Sequence, residues 1–392
     1  MPKINNKKIF LDYAASASPN PGSIHELGII AKKKLEGARK EVSGVLGSRA
    51  EEIIFTSGGT EGNNLAIQGI IYLTPSPLSL IRRGVGERSL PHIVTTNIEH
   101  PSVLETCKLL QIRKLAQISI VPVEANGIVD PRKIKKEIKK NTVLVSIMYA
   151  NNEIGTIQPL REIAKEIRHY RKQNKTNYPY LHTDAVQAVN YLDLNVERLG
   201  VDMLTLSGSK IKGAGKVGVL YKRKSVPLVN IFGGGDQEGG LRPGTENLAE
   251  ILKFSGALTL VQKNKEKETK RLTKLRDYFL RVLDTRLSGV QHLMNGDLEN
   301  RLPNNVNITF PKIPSDLLVI ELSARGIMAS SKSACKSSSS EGSYVIKALR
   351  PDADPEIGGL RFSLGTDTKK QDINYTIESL SKILTKLKKW YY

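Results

Sequence analysis

Between residues 53 and 206 the chain repeats one unit: a short apolar run, a break at small or polar residues, then a segment with apolar positions near helical spacing. The apolar runs fall at residues 53–56, 92–96, 118–123, 143–149, 180–183 and 203–206, and helical patterns lie between them near 101–115, 131–139 and 159–173. Continuous apolar runs of this length read as strands buried on both faces rather than on one. Strands of that kind separated by helices predict an α/β fold with a mostly parallel sheet covered on both sides, whose ligands gather at the strand ends.

The flanks break this rhythm. Residues 9–13 read as a short strand, and 28–46 as a basic amphipathic helix carrying Ile29, Ile30, Leu35, Ala38, Val42 and Leu46. Residues 72–91, with Pro75, Pro77, Arg82, Arg83, Gly84 and Gly86, read as a surface excursion. From about Asn247 a long charged helix runs to about residue 287. A smaller α+β unit follows it: strand 306–310, helix 315–325, a serine-rich loop around Cys335, helix 344–349, strand 360–364 and a terminal helix from Lys370.

Composition narrows the function classes. Lysine and arginine outnumber aspartate and glutamate 59 to 39, a formal charge of +20, yet the lysines are dispersed and aromatics are only 5%. No basic stripe interleaved with stacking rings emerges, so a solvated lysine-biased surface is expected and direct nucleic-acid binding is not. No apolar run is long enough to span a bilayer, and residues 1–8 do not lead into a signal segment, so the expectation is a cytoplasmic protein. The two cysteines, Cys107 and Cys335, cannot make a metal-binding Cys-x-x-Cys pair; Cys107 lies in a helical pattern and reads as a buried, inert thiol.

The strand ends carry complementary polar groups. Residues 53–56 run into Ser57-Gly58-Gly59-Thr60-Glu61, and strand, glycines, hydroxyl and helix start make an anion cradle usually occupied by phosphate. Strand 92–96 leads to Glu99-His100, strand 143–149 to Asn151-Asn152-Glu153, strand 180–183 to Asp184 and Gln187, and strand 203–206 to Ser207-Gly208-Ser209-Lys210. A lone lysine in a turn is ordinarily a surface residue; Lys210 gains meaning from the imidazole, amide and carboxylate that share its crevice. That set suits pyridoxal phosphate, which needs a helix N-terminus for its phosphate, a lysine for its aldehyde and a carboxylate for its ring nitrogen. A formal G-x-G-x-x-G at Gly213–Gly218 is followed by a strand-like run instead of a helix, which argues against a dinucleotide site.

The chain resembles cysteine desulfurases of the NifS/IscS type, within the aminotransferase class V, fold-type I pyridoxal-phosphate enzymes. The matching stretches are residues 11–15, 55–61, 99–100, 145–148, 151–155, 182–185, 207–210, 242–247, 331–335 and 361–365. The resemblance implies a large cofactor-binding α/β domain at 28–250, and a linking helix with a small α+β domain at 251–392 carrying a persulfide loop at 330–343. Residues 1–27 would associate with the small domain. It implies that Lys210 is the Schiff-base lysine and proton shuttle, with His100 stacked on the cofactor ring and taking part in proton transfers. Asp184 would pair with the ring N–H and Gln187 with the phenolic oxygen. The phosphate would lie against Gly59, Thr60, Ser207 and Ser209, joined by Thr245 from the second subunit of a homodimer. Arg361 and Asn152 would grip the substrate carboxylate, the guanidinium as a bidentate fork. Cys335 would take sulfur from L-cysteine, leaving alanine and a persulfide. Its place in a serine-rich loop between Lys332 and Lys336 independently suits an exposed, low-pKa thiol. The sulfur would pass to an acidic acceptor protein, either an iron–sulfur scaffold or a tRNA-thiolation relay.

Three departures from the family pattern are visible. Ser209 stands where the family usually has histidine, which predicts weaker cofactor retention. The stretch between Tyr13 and residues 20–25 is short, leaving no room for a helix usually found near the entrance. Lys332 replaces a usual glycine. The rival readings are a selenocysteine lyase or another class V enzyme, and a non-catalytic sulfur-carrier or scaffold subunit.

Overall fold

A computed structural model of the chain describes residues 9–73, 90–331, 342–352 and 358–391. Its centre is a seven-stranded sheet in the order β1-β7-β6-β5-β4-β2-β3. The strands are β1 (Ile53–Thr56), β2 (His92–Thr96), β3 (Gln117–Val121), β4 (Thr142–Ser146), β5 (Tyr180–Asp184), β6 (Met203–Ser207) and β7 (Gly218–Lys222). β3, β2, β4, β5 and β6 are parallel; β7 runs antiparallel between β6 and β1. Every residue of β1, β2, β4, β5 and β6 is buried, as strands covered on both faces require, whereas the edge strand β3 is largely accessible.

The covering helices dock by regular apolar spacing. Leu160–Asn174 buries Leu160, Ile163, Ala164 and Ile167, the i, i+3, i+4, i+7 stripe of a helix with one dry face. Pro101–Ile112 starts at a proline, which needs no N–H there, and its N-cap is His100.

Leu248–Arg286 is a 39-residue helix, about 58 Å long at about 1.5 Å per residue. Its first half sets Ile251, Phe254 and Leu258 into the core around the large sheet. Its second half sets Leu272, Leu275, Phe279 and Leu283 into a second core. That core also holds a three-stranded antiparallel sheet in the order β10-β9-β8, made of β8 (Leu293–Met294), β9 (Asn305–Thr309) and β10 (Leu360–Ser363). Helices Ser315–Ser323 and Lys370–Tyr391 complete it.

The two sheets are bolted together at one loop. Asn305 and Asn307 each donate an amide N–H to the Glu153 carbonyl at 2.9 Å, and the Leu302 N–H reaches the Gly155 carbonyl at 2.9 Å. The small sheet is thereby held beside Asn152.

Residues 9–13 differ from the expected strand: among the described residues they form no sheet pairing, and Leu11 is 89% exposed. A strand needs a neighbouring edge, and the apolar pattern of this segment supplies none. The excursion expected at 72–91 lies largely outside the described residues. No helix among the described residues is long and apolar enough to cross a membrane.

Candidate active site

A cavity of about 480 Å³ opens at the carboxyl ends of β5 and β6. It is lined by Gly59, Thr60, His100, Asn152, Asp184, Gln187, Ser207, Ser209, Lys210 and Arg361, so it gathers every candidate residue except Thr245 and Cys335. Thr245 is exposed, in a segment outside the cavity. Cys335 lies outside the described residues, with Lys332 and Lys336.

One wall is the start of helix Gly59–Ile71. A Cβ on Gly59 would come within 2.9 Å of Val186 Cγ2 and 3.5 Å of Ser207 Cβ, so only glycine leaves the backbone open at this helix N-terminus. The first turn presents unpaired N–H groups and the positive end of the helix dipole, beside the hydroxyl of Thr60. Ser207 and Ser209 face it, their Oγ atoms 3.0 Å apart. Glu61 braces this cradle: its carboxylate accepts from the Ser57 N–H at 2.6 Å and from Arg242 Nε at 3.0 Å. Arg242 belongs to the same segment as Thr245.

Lys210 ends a short 3-10 turn, Gly208–Lys210, whose carbonyl accepts from Asn190 Nδ2 at 2.6 Å. Gly208 has no space for a side chain, since a Cβ would meet the carbonyl oxygens of Gly215 at 2.8 Å and Val217 at 3.0 Å. The turn is thus pressed onto the segment that leads into β7, and the lysine is carried to the cavity by backbone contacts.

Asp184 is 6% exposed. Its Oδ1 accepts from the Val186 N–H at 3.0 Å and its Oδ2 from Asn63 Nδ2 at 2.7 Å. Among the described residues no lysine or arginine pairs with it, an unusual state for a buried carboxylate. Directly behind it, His182 is fully buried, with Nδ1 2.9 Å from Ser146 Oγ and Nε2 3.0 Å from Thr205 Oγ1; burial lowers its pKa to about 3. It acts as a neutral strut joining β4, β5 and β6.

The opposite end of the cavity collects unmet polar atoms. Arg361 Nη1 donates to the Asn152 carbonyl at 3.0 Å, while Arg361 Nε, Asn152 Oδ1 and Asn304 Oδ1 are buried without partners among the described residues. Burial pulls the Arg361 guanidinium below its ordinary pKa, and Glu153 acts against that pull. Asn151, by contrast, is a structural cap: its Oδ1 accepts from the Glu153 and Ile154 N–H groups at 2.8 and 3.0 Å.

The flanks of residues 332–341 are fixed at this end. Ser330 and Arg361 exchange backbone hydrogen bonds of 2.6 and 3.1 Å. Ser343 Oγ donates to Glu153 Oε2 at 2.5 Å, and the Tyr344 hydroxyl to the Glu99 carbonyl at 2.6 Å. Cys107 is 1% exposed and burial pushes its thiol up to about 12, which makes it inert at neutral pH.

Sequence reasoning missed Asn63, Ser102 and Asn304, which also line the cavity. Asn63 follows Thr60 by three residues on one helix, and Ser102 stands at the second helical position, whose N–H an N-cap side chain such as His100 accepts; those relations were the available signal.

Residues 5–376 match the aminotransferase class-V family. A protein named cysteine desulfurase IscS from Dictyoglomus turgidum is 40% identical over 97% of this chain and 96% of its own length. One of the same name from Methanosarcina thermophila is 39% identical over 96% of this chain and 88% of its own. A solved structure of a NifS-like protein superposes with a TM-score of 0.80 at 33% identity, covering 94% of this chain and 92% of that one. The structure titled SspA in complex with cysteine gives 0.68 at 28% identity, over 88% and 90%. With the cavity's lysine, buried carboxylate and glycine cradle at the strand ends, these likenesses lead to one conclusion: the chain belongs to the aminotransferase class-V family, among its cysteine desulfurases.

Proposed function

We propose that this protein is a pyridoxal-phosphate-dependent cysteine desulfurase that converts L-cysteine to L-alanine and collects the sulfur as a persulfide on Cys335. The observation that carries the reading is the buried Asp184 carboxylate, which has no lysine or arginine partner among the described residues and faces a cavity with Lys210 on one side and the Gly59 helix start on the other.

The residues fit the cofactor. The open N-terminus at Gly59 and Thr60, with Ser207 and Ser209, suits a dianionic phosphate. Asp184 suits a protonated ring nitrogen, Gln187 the phenolic oxygen, and His100 the ring face. Lys210 would hold the cofactor covalently. Bound there, pyridoxal phosphate supplies an electron sink for charge developing at the substrate Cα.

The chain's own groups supply the rest. Arg361 and Asn152 orient the substrate carboxylate. Lys210 Nζ moves the proton at Cα. The Cys335 thiolate attacks the substrate sulfur, the S–S bond forms as the C–S bond breaks, and Cβ takes up a proton to give alanine.

We further infer a cytoplasmic homodimer in which Thr245 serves the phosphate of the second subunit, and an acidic acceptor, an iron–sulfur scaffold or a tRNA-thiolation relay, that docks near Lys332 and Lys336. The exposure of Thr245 outside its own cavity supports the first, and the charge of +20 the second.

The test feeds cysteine to the purified holoenzyme and measures alanine and Cys335-bound persulfide together. Equal accumulation of both in a single turnover is expected. A Cys335→Ala variant that keeps full sulfur release would overturn the assignment in favour of a selenocysteine lyase or another class V enzyme. Transfer rates indifferent to salt and to Lys332→Glu with Lys336→Glu would remove the docking proposal.

A further inference from the structure

Under the cavity floor a continuous hydrogen-bonded chain joins the two groups that flank the cofactor position. Asn63 Nδ2 lies 2.7 Å from Asp184 Oδ2 and 2.8 Å from Ser102 Oγ. Ser102 Oγ lies 2.8 Å from His100 Nδ1, and the Ser102 backbone N–H donates to the same nitrogen at 3.1 Å. Asn63 is 1% exposed and Ser102 8%, so bulk water does not compete for these bonds.

The directions of the protons follow from the donor inventory. An ionised carboxylate only accepts, so the Asn63 amide must turn its NH₂ toward Asp184. The second amide proton then falls on Ser102 Oγ. Asn63 Oδ1 is left buried without a partner among the described residues, an orientation the amide would not keep if the carboxylate did not dictate it. Ser102, accepting from Asn63, has its own O–H free for His100 Nδ1. That nitrogen faces two donors, one of them a backbone N–H that cannot be reversed.

We propose that Asn63 and Ser102 are positioning residues that lock His100 as the neutral Nε2–H tautomer, so that His100 serves as a ring-face partner and hydrogen-bond donor and never as a base. The inference rests on the cavity being the cofactor site, and it narrows the proton-transfer role the family resemblance implied for this histidine. Taking a proton would require Nδ1 to abandon both donors. Burial, the largest influence, also disfavours the imidazolium; Asp184 from the end of β5 opposes it, and Lys210 from the turn after β6 adds to it. On the histidine's own segment, the Glu99 carboxyl is turned away toward Thr96 and the Met148 N–H. The proton at the substrate Cα is thereby left to Lys210.

The test is long-range proton–nitrogen correlation NMR on holoenzyme labelled at the histidine ring nitrogens, with the His100 signal assigned by its loss in His100→Gln. The wild type should show a protonated Nε2 and a bare Nδ1 from about pH 5.5 to 8.5, the interval in which an ordinary histidine titrates. Asn63→Ala frees the Ser102 hydroxyl and removes a donor from Asp184, so His100 should begin to titrate, with a midpoint raised from the wild type's toward that of an ordinary histidine. Ser102→Ala should move it the same way, and it stands in if the first variant fails to fold. A wild-type His100 protonated at Nδ1, or a titration unmoved in the folded variants, would overturn the proposal. The readout needs no turnover, so failure of the tautomer lock and failure of the desulfurase reading are separate results.

Discussion

Arg361→Gln separates the cost of a binding group from the cost of a structural one. The Arg361 backbone is held by Ser330, so the substitution leaves the strand pairing intact. Among the described residues its side chain makes one bond, to the Asn152 carbonyl at 3.0 Å, and its Nε stays buried and unmet. A charged hydrogen bond contributes about 1.5–3 kcal/mol. A glutamine amide can recover part of that bond, and relief from desolvating an incompletely partnered cation offsets the rest by a similar or larger amount. The fold should therefore lose little.

The substrate should lose much. A fork of two charge-assisted bonds to a carboxylate is worth about 3–6 kcal/mol, which is roughly two to four powers of ten in kcat/KM at about 1.4 kcal/mol per decade. Steady-state alanine formation measures the second effect and thermal melting of the same preparation the first. A loss below about tenfold would refute the assignment of Arg361 to the substrate carboxylate. A fall in melting midpoint of more than about 3 °C would show that its role is structural instead.

Further outcomes follow from the same geometry. Ser209→His, which places a ring donor beside Ser207 Oγ, should slow cofactor release during dialysis with little change in kcat; unchanged retention would mean that the serine is no weakness. Glu99 is fully buried and desolvation lifts its carboxyl to about 8, well above its unfolded value of about 4.3. The neutral form therefore favours the folded state, fully below the unfolded value and progressively less as pH rises toward about 8. Melts across that window should fall for the wild type relative to Glu99→Gln, and parallel curves would contradict the buried acid. Gly208→Ala drives a methyl group into the Gly215 and Val217 carbonyls and should destabilise by about 1–3 kcal/mol while weakening cofactor binding, read from melting and visible absorbance; a neutral result would mean the turn can move.

Much of the sheet is legible in the chain because buried parallel strands need uninterrupted apolar runs, and β1, β2, β4, β5 and β6 have them. The strand proposed at residues 9–13 fails for the complementary reason: propensity without a neighbouring edge does not make a strand. The antiparallel setting of β7 could not be read from its residues, since Gly218–Lys222 would suit either direction.

Within the site, Lys210, Asp184, His100 and the Gly59 cradle stand at strand ends, where polar residues after an apolar run are conspicuous. Asn63 and Ser102 hide inside helices as ordinary polar residues. Only the approach of helices Gly59–Ile71 and Pro101–Ile112 to the end of β5 turns them into one hydrogen-bonded chain. Asn151 and Asn152 are adjacent and chemically identical, yet one caps a loop and the other faces the cavity; backbone direction decides which.

The sequence by itself determined the secondary-structure units and the chemical inventory, because local periodicity and residue type are properties of the chain. The tertiary structure alone decided which of those groups share one cavity, which stay unmet and which way the protons between them point, because each depends on distances between segments far apart in the chain.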